Sequence, residues 1–168
     1  MNETPTQERA VRDSIMVKRP TSTPGTFVRI PLTDGSFGYG RVLSDPYVAF
    51  YDHRTAEPSS DLDEIGAKPL LFTQAVRLPG HDRWPDIGHR ELEGEVAGPV
   101  VRFVQDLADF RKCTIFDSEG RERPASPEEC VGLERAAVWD PHQIERRLLD
   151  TFTGHPNEDE VRLRVRLE

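Results

Sequence analysis

The chain is short of several things, and each shortage closes a class of function. Cysteine is nearly missing: Cys113 and Cys130 are the only two in 168 residues. A chain of this length buries roughly 70% of its unfolded surface, so it folds without a disulfide or a metal. No apolar stretch follows Met1 as a secretory signal requires, and no apolar run approaches a membrane span. The expectation is therefore a cytoplasmic protein with both thiols reduced. Neither cysteine has a histidine nearby in sequence, so both are expected to pack rather than react. Positive charge is also in deficit. Twenty-two basic side chains face thirty acidic ones, a formal charge of -8. Non-specific nucleic-acid binding needs a cationic counter-surface and is not expected. The acidic excess either steers a basic protein partner or simply keeps the chain soluble. HExxH, G-x-S-x-G, Walker A and Rossmann signatures are all missing, and no internal repeat is visible.

What is present begins with Gly25 to Leu43, GTFVRIPLTDGSFGYGRVL. Val28, Ile30 and Leu32 recur at period two, the spacing of one strand face. Asp34-Gly35 supplies a hairpin turn, because glycine tolerates positive φ and aspartate bonds its own backbone. The return strand sets Phe37, Tyr39 and Arg41 on one side and Gly38, Gly40 and Val42 on the other. Paired glycines on one face predict a close backbone approach or a sharp bend. Gly35-x-x-Gly38-x-Gly40 precedes no helix, so it lacks the amides that hold phosphate. A third strand is expected over Tyr47 to Tyr51.

Residues 1–23 read as a flexible tail, with a short helix possible over 7–16, and 24–168 as one β-rich domain. In the acidic loop Thr55 to Gly66, Ser60 is expected to cap one helical turn, with Asp63 as its reciprocal partner. A strand follows over Pro69 to Leu78. Pro79 to His89 reads as irregular, anchored by Trp84. Strands are expected over 100–106, 112–117 and 135–139. Ser126-Pro127-Glu128-Glu129 is a capping box with proline at the first helical position. Asp140-Pro141-His142-Gln143 opens a second helix, whose stripe is Ile144, Leu148, Leu149 and Phe152 and whose stop is Gly154. Val161 to Glu168 alternates apolar with arginine and reads as a half-exposed strand. The expected class is α+β but mostly β: an antiparallel twisted sheet or partly open barrel, with one or two short C-terminal helices.

Two chemistries compete for the candidate site. Acidic residues cluster at Asp61, Asp63 and Glu64 and again at Glu91 and Glu93, as a partner-binding face would require. A weaker alternative is a metal site from His81, Asp86 and His89, with Asp82, Asp52 and His53 as further donors. Zinc-like ions take such nitrogen and oxygen ligands, but the spacing matches no known metal pattern. Tyr39, Tyr47 and Tyr51 gather on adjacent strands, either as core or as an exposed binding group.

The opening stretch resembles the start of the immunity protein 26 family of bacterial polymorphic-toxin systems. Further blocks carry the resemblance: P-Y-V-A-F-Y-D at 46–52, R-W-P-x-I-G at 83–88, I-F-D at 115–117 and P-E-E-C-x-G-L-E-R-A-A-V-W-D-P at 127–141. It follows the family's order from about Gly25 to Pro156, and the last block is the most specific. The resemblance implies a mostly β intracellular protein that binds and neutralises a cognate toxin domain, often a nuclease and so basic. It implies no fixed catalytic residues; no cofactor is expected, and the acidic balance and missing apolar runs leave no nucleic-acid or membrane partner expected. Some members share a heading with a HocA-type phosphotriesterase, which keeps a metal-dependent phosphoester hydrolase as the enzyme alternative. A β-rich module with another partner is the third reading.

Overall fold

The computed structural model describes residues 23–168, so the tail and the possible helix over 7–16 lie outside the described residues. Among the described residues the chain forms two mixed sheets, and neither closes into a barrel. The first contains β1 (Thr26–Pro31), β2 (Phe37–Val42), β3 (Tyr47–Tyr51), β4 (Leu70–Val76), β5 (Asp86–His89) and β10 (Val138–Trp139), in the order β10-β4-β3-β2-β1-β5. The second contains β6 (Val101–Gln105), β7 (Cys113–Asp117), β8 (Glu122–Ala125) and β9 (Glu134–Arg135), in the order β8-β7-β6-β9. The mostly β, α+β class is as expected; most pairings are antiparallel, and β10–β4 and β6–β9 run parallel. The expected strand over 135–139 is two two-residue strands, one in each sheet.

The opening hairpin follows its sequence. Gly35 takes φ 85°, and the Asp34 carboxylate accepts the Ser36 amide at 3.0 Å and its hydroxyl at 2.6 Å. Val28, Ile30, Leu32, Val48, Phe50, Phe72 and Val76 form one face of the first sheet and pack against α2 (Pro141–Thr153) through Ile144 and Leu148. The glycine expectation takes a different form. A Cβ at Gly38 would lie 3.1 Å from the Leu148 side chain, and one at Gly40 would lie 3.2 Å from Phe50 and Val48. The glycines make room for side chains of α2 and β3, not for another backbone. α2 opens as expected, with the Asp140 amide donating to Gln143 Oε1 at 2.9 Å, and ends at Gly154 with φ 75°.

The opposite face of the sheet carries Phe27, Tyr39 and Tyr51, covered by Ile65 of the short α1 (Leu62–Gly66). Tyr39 and Tyr51 are therefore core, and Tyr47 is half-buried. The cap of α1 is Asp61, whose carboxylate accepts the Glu64 amide at 3.1 Å, and not Ser60 with Asp63. Ser126 does form its capping box, with Glu129, over a 3-10 turn at Pro127–Cys130.

Pro79 to His89 is only partly irregular. Trp84 is buried as expected, but residues 86–89 form β5 on the edge of the first sheet. At the C-terminus the expected strand is a helix, α3 (Glu158–Leu163), followed by an extended segment. Asn157 caps it through the Glu160 amide at 2.9 Å, and the pairs Asp159–Arg162 and Glu160–Arg164 sit at helical spacing. Leu163 then packs on the first core and Val165 on that of the second sheet, so they do not share one strand face.

A largely buried ion pair ties α2 to the second sheet. Arg147 of α2 donates to both Glu134 oxygens, at 3.2 and 2.6 Å, while its guanidinium lies 3.8 Å from the Phe72 ring centre. Arg102 of β6 donates to the Thr73 carbonyl, and burial pushes its pKa down.

Candidate partner-binding surface

Two acidic stretches, far apart in sequence, meet around Arg90. The first is the N-terminal turn of α1. Its approach is fixed from below: Tyr39 Oη lies 2.5 Å from Thr55 Oγ1 and accepts the Ser59 amide at 3.0 Å. Ser59 Oγ in turn accepts the Asp61 amide at 3.2 Å. Ile65, with no exposed surface, locks the helix onto Phe27, Tyr39 and Tyr51. Asp61, Asp63 and Glu64 are left at the solvent edge.

The second stretch runs from Arg90 to Glu95 and is held by an unusual support. Arg41 of β2 is buried, lies 4.6 Å above the Phe27 ring, and donates to the carbonyls of Arg90 and Glu91 at 2.8 Å each. The Arg90 amide donates to the Gly25 carbonyl at 3.1 Å. Gly25 has φ 98°, and a Cβ there would come 2.1 Å from the Arg90 oxygen, so only glycine fits. Beyond it Leu92 and Val96 pack on Leu43, Ala49 and Val100. Glu91, Glu93 and Glu95 stay exposed.

Arg90 joins the two stretches. Its guanidinium donates to Asp63 Oδ1. That hydrogen bond, then the charge of the arginine, holds the Asp63 carboxyl below its usual range. Arg90 is itself shifted up, first by Asp63 and further by Asp61 and Glu93. One arginine thus faces three of the five predicted partner residues, Asp61, Asp63 and Glu93. Glu64, Glu91 and Glu95 form no salt bridge with any described residue. The sheet edge beside the surface is irregular. β5 is bulged opposite Phe27 and Val28, and the Asp86 carboxylate accepts the Gly88 amide at 2.9 Å.

The metal alternative is not assembled. His89 Nε2 donates to the Pro24 carbonyl at 2.8 Å, and Asp86 is engaged by Gly88. Among the described residues no group of three His, Cys, Asp or Glu side chains is placed to hold an ion, so His81, Asp86 and His89 do not form a site. His53 is buried, its ring 5.2 Å from that of Tyr39. Sequence reasoning missed Arg90 and Arg41. Arg90 stands directly before Glu91 and Glu93, and that adjacency was the available signal. Arg41 gave none, since a basic residue on a strand reads as solvent-facing.

Residues 23–114 match the immunity protein 26 family, more than half of the chain. The chain belongs to that family. The matched span holds β1 to β6, α1 and the whole acidic surface. It stops short of the block at 127–141, so α2 and most of the second sheet lie beyond it, although the resemblance was expected to run to about Pro156. No curated protein and no solved structure matches the chain. No helix among the described residues is long and apolar enough to cross a membrane.

Proposed function

We propose that this immunity protein binds a cognate bacterial toxin domain and neutralises it by occlusion, and that its contact face is the acidic surface around Arg90. One observation carries the reading: two separate acidic stretches are brought onto one braced surface inside the family span. The partner chemistry that fits is a cationic domain, such as a nuclease with a phosphate-binding groove. Unpaired carboxylates at Glu64, Glu91 and Glu95 steer such a domain and meet its basic side chains. Residues 24–168 act as one unit in this reading, in the cytoplasm, without a cofactor, nucleic acid or membrane. No observation favours the hydrolase reading: among the described residues no three His, Cys, Asp or Glu side chains lie together to hold an ion.

The test is growth rescue. The toxin domain encoded beside this chain is expressed in a sensitive host, with and without it. Rescue and a co-purifying complex are expected. An active toxin that is neither bound nor relieved would overturn the assignment to that toxin. Hydrolysis of a phosphotriester by the metal-loaded protein would favour the enzyme alternative.

A further inference from the structure

Cys113 and Cys130 lie apart in sequence but share one small core. Cys113 opens β7, opposite Ala125 of β8, and Cys130 closes the 3-10 turn that follows β8. The hairpin folds the chain back, so the turn rests on β7. Both thiols are free and buried, and both pack with Phe103 inside a wall of Ile115, Ala125, Leu133 and Val165. Cys113 Sγ points to the Phe110 carbonyl at 3.9 Å. Burial, and after it the adjoining Cys113 thiol, pushes Cys130 up to about 11. Two small apolar residues would fill this space as well. What distinguishes the pair is that the turn ending in Cys130 rests on the strand that Cys113 opens, so both thiols lie in one cluster.

We propose that Cys113 and Cys130 form an oxidisable dithiol that closes into an intramolecular disulfide under peroxide, stapling the Pro127–Cys130 turn to β7. The inference is independent of any toxin. Either thiol can attack first, and the product is the same. With Cys113 as the attacker, its thiolate takes one peroxide oxygen, the O–O bond breaks and hydroxide leaves, giving a sulfenic acid. Cys130 sulfur then displaces that hydroxyl, the S–S bond forms, the S–O bond breaks and water departs. Two thiols and one hydrogen peroxide yield one disulfide and two waters. Sulfur is oxidised and the peroxide oxygens are reduced. Because both sulfurs are buried, brief opening of the turn sets the rate.

The experiment uses the full folded chain and hydrogen peroxide, read by intact mass, thiol titration and peptide mapping. The expected product has lost two hydrogens, has lost both thiols together and links the peptides holding Cys113 and Cys130. A thiol reductant restores it. Cys113→Ser and Cys130→Ser each abolish the intramolecular link. Oxygen addition to either cysteine without a link would overturn the proposal, as would a link between two chains. So would survival of both thiols under peroxide that oxidises the urea-unfolded chain. The wild-type mass decides the matter alone, even if a serine variant folds poorly.

Discussion

At the scale of single residues, the acidic surface rests on a few close-packed supports. Gly25 is the sharpest case, because its positive φ and the 2.1 Å approach forbid any side chain. Gly25→Ala is expected to cost more than about 1 kcal/mol in urea unfolding. It should also expose the amide of Arg90 to hydrogen exchange, since that amide bonds to Gly25. Asp34 is held down to about 2, first by the Ser36 hydroxyl, then by the Ser36 amide and by Arg54. Its folded pKa lies below the ordinary 3.8, so its contribution is present above that value and is lost as pH falls through about 2. A carboxyl NMR titration should place its midpoint near the depressed value, and Ser36→Ala should raise it. The turn was legible because Asp-Gly forces one geometry. The cap of α1 was not. Ser60 and Asp61 are both good caps, and the choice was made by Ile65, which reaches the core from a helix that starts after Asp61.

At the scale of elements, α2 was legible because start box, periodicity and stop glycine agree. Trp84 ties it to the sheet. Its indole donates to Glu145 Oε1 at 2.9 Å beside the forked Arg83 pair at 2.8 and 2.9 Å, and its ring meets Phe50 edge-on at 6.2 Å. Burial alone would raise Glu145, but the hydrogen bonds from Arg83 and Trp84 prevail and lower it. The stability it lends is therefore present above the ordinary 4.5 and fades as pH drops through the lowered folded value. Trp84→Ala is expected to cost about 3–5 kcal/mol. Glu145→Gln should cost less and flatten the acid limb of the stability curve. Equal acid limbs for Glu145→Gln and wild type would remove Glu145 from this role. β5 escaped sequence reading because it has four residues, a bulge and a partner far upstream. The C-terminal alternation suits a strand, yet 3- and 4-residue charge pairs and carbonyls taken by Gln105 and Arg135 settle on a helix and strap.

At the scale of the whole molecule, the acidic excess could be read from composition, but its convergence could not. Pairing of β1 with β5 carries residues 90–95 to α1, and no local pattern predicts that non-local pairing. The proposed role of the converged surface is fast, salt-sensitive association with the toxin domain. The variant that removes charge with least structural damage is Glu64→Gln, Glu91→Gln and Glu95→Gln together. The Arg90–Asp63 pair is kept, and the Arg41 bonds reach backbone carbonyls that the changes leave in place. The most direct measurement is the association rate with the cognate toxin domain as a function of ionic strength, for wild type and this variant. The wild-type rate is expected to fall at least about tenfold from low to high salt, and the variant to start slower with a flatter slope. Equal rates and equal salt slopes for the two folded proteins would contradict it and place the contact face elsewhere.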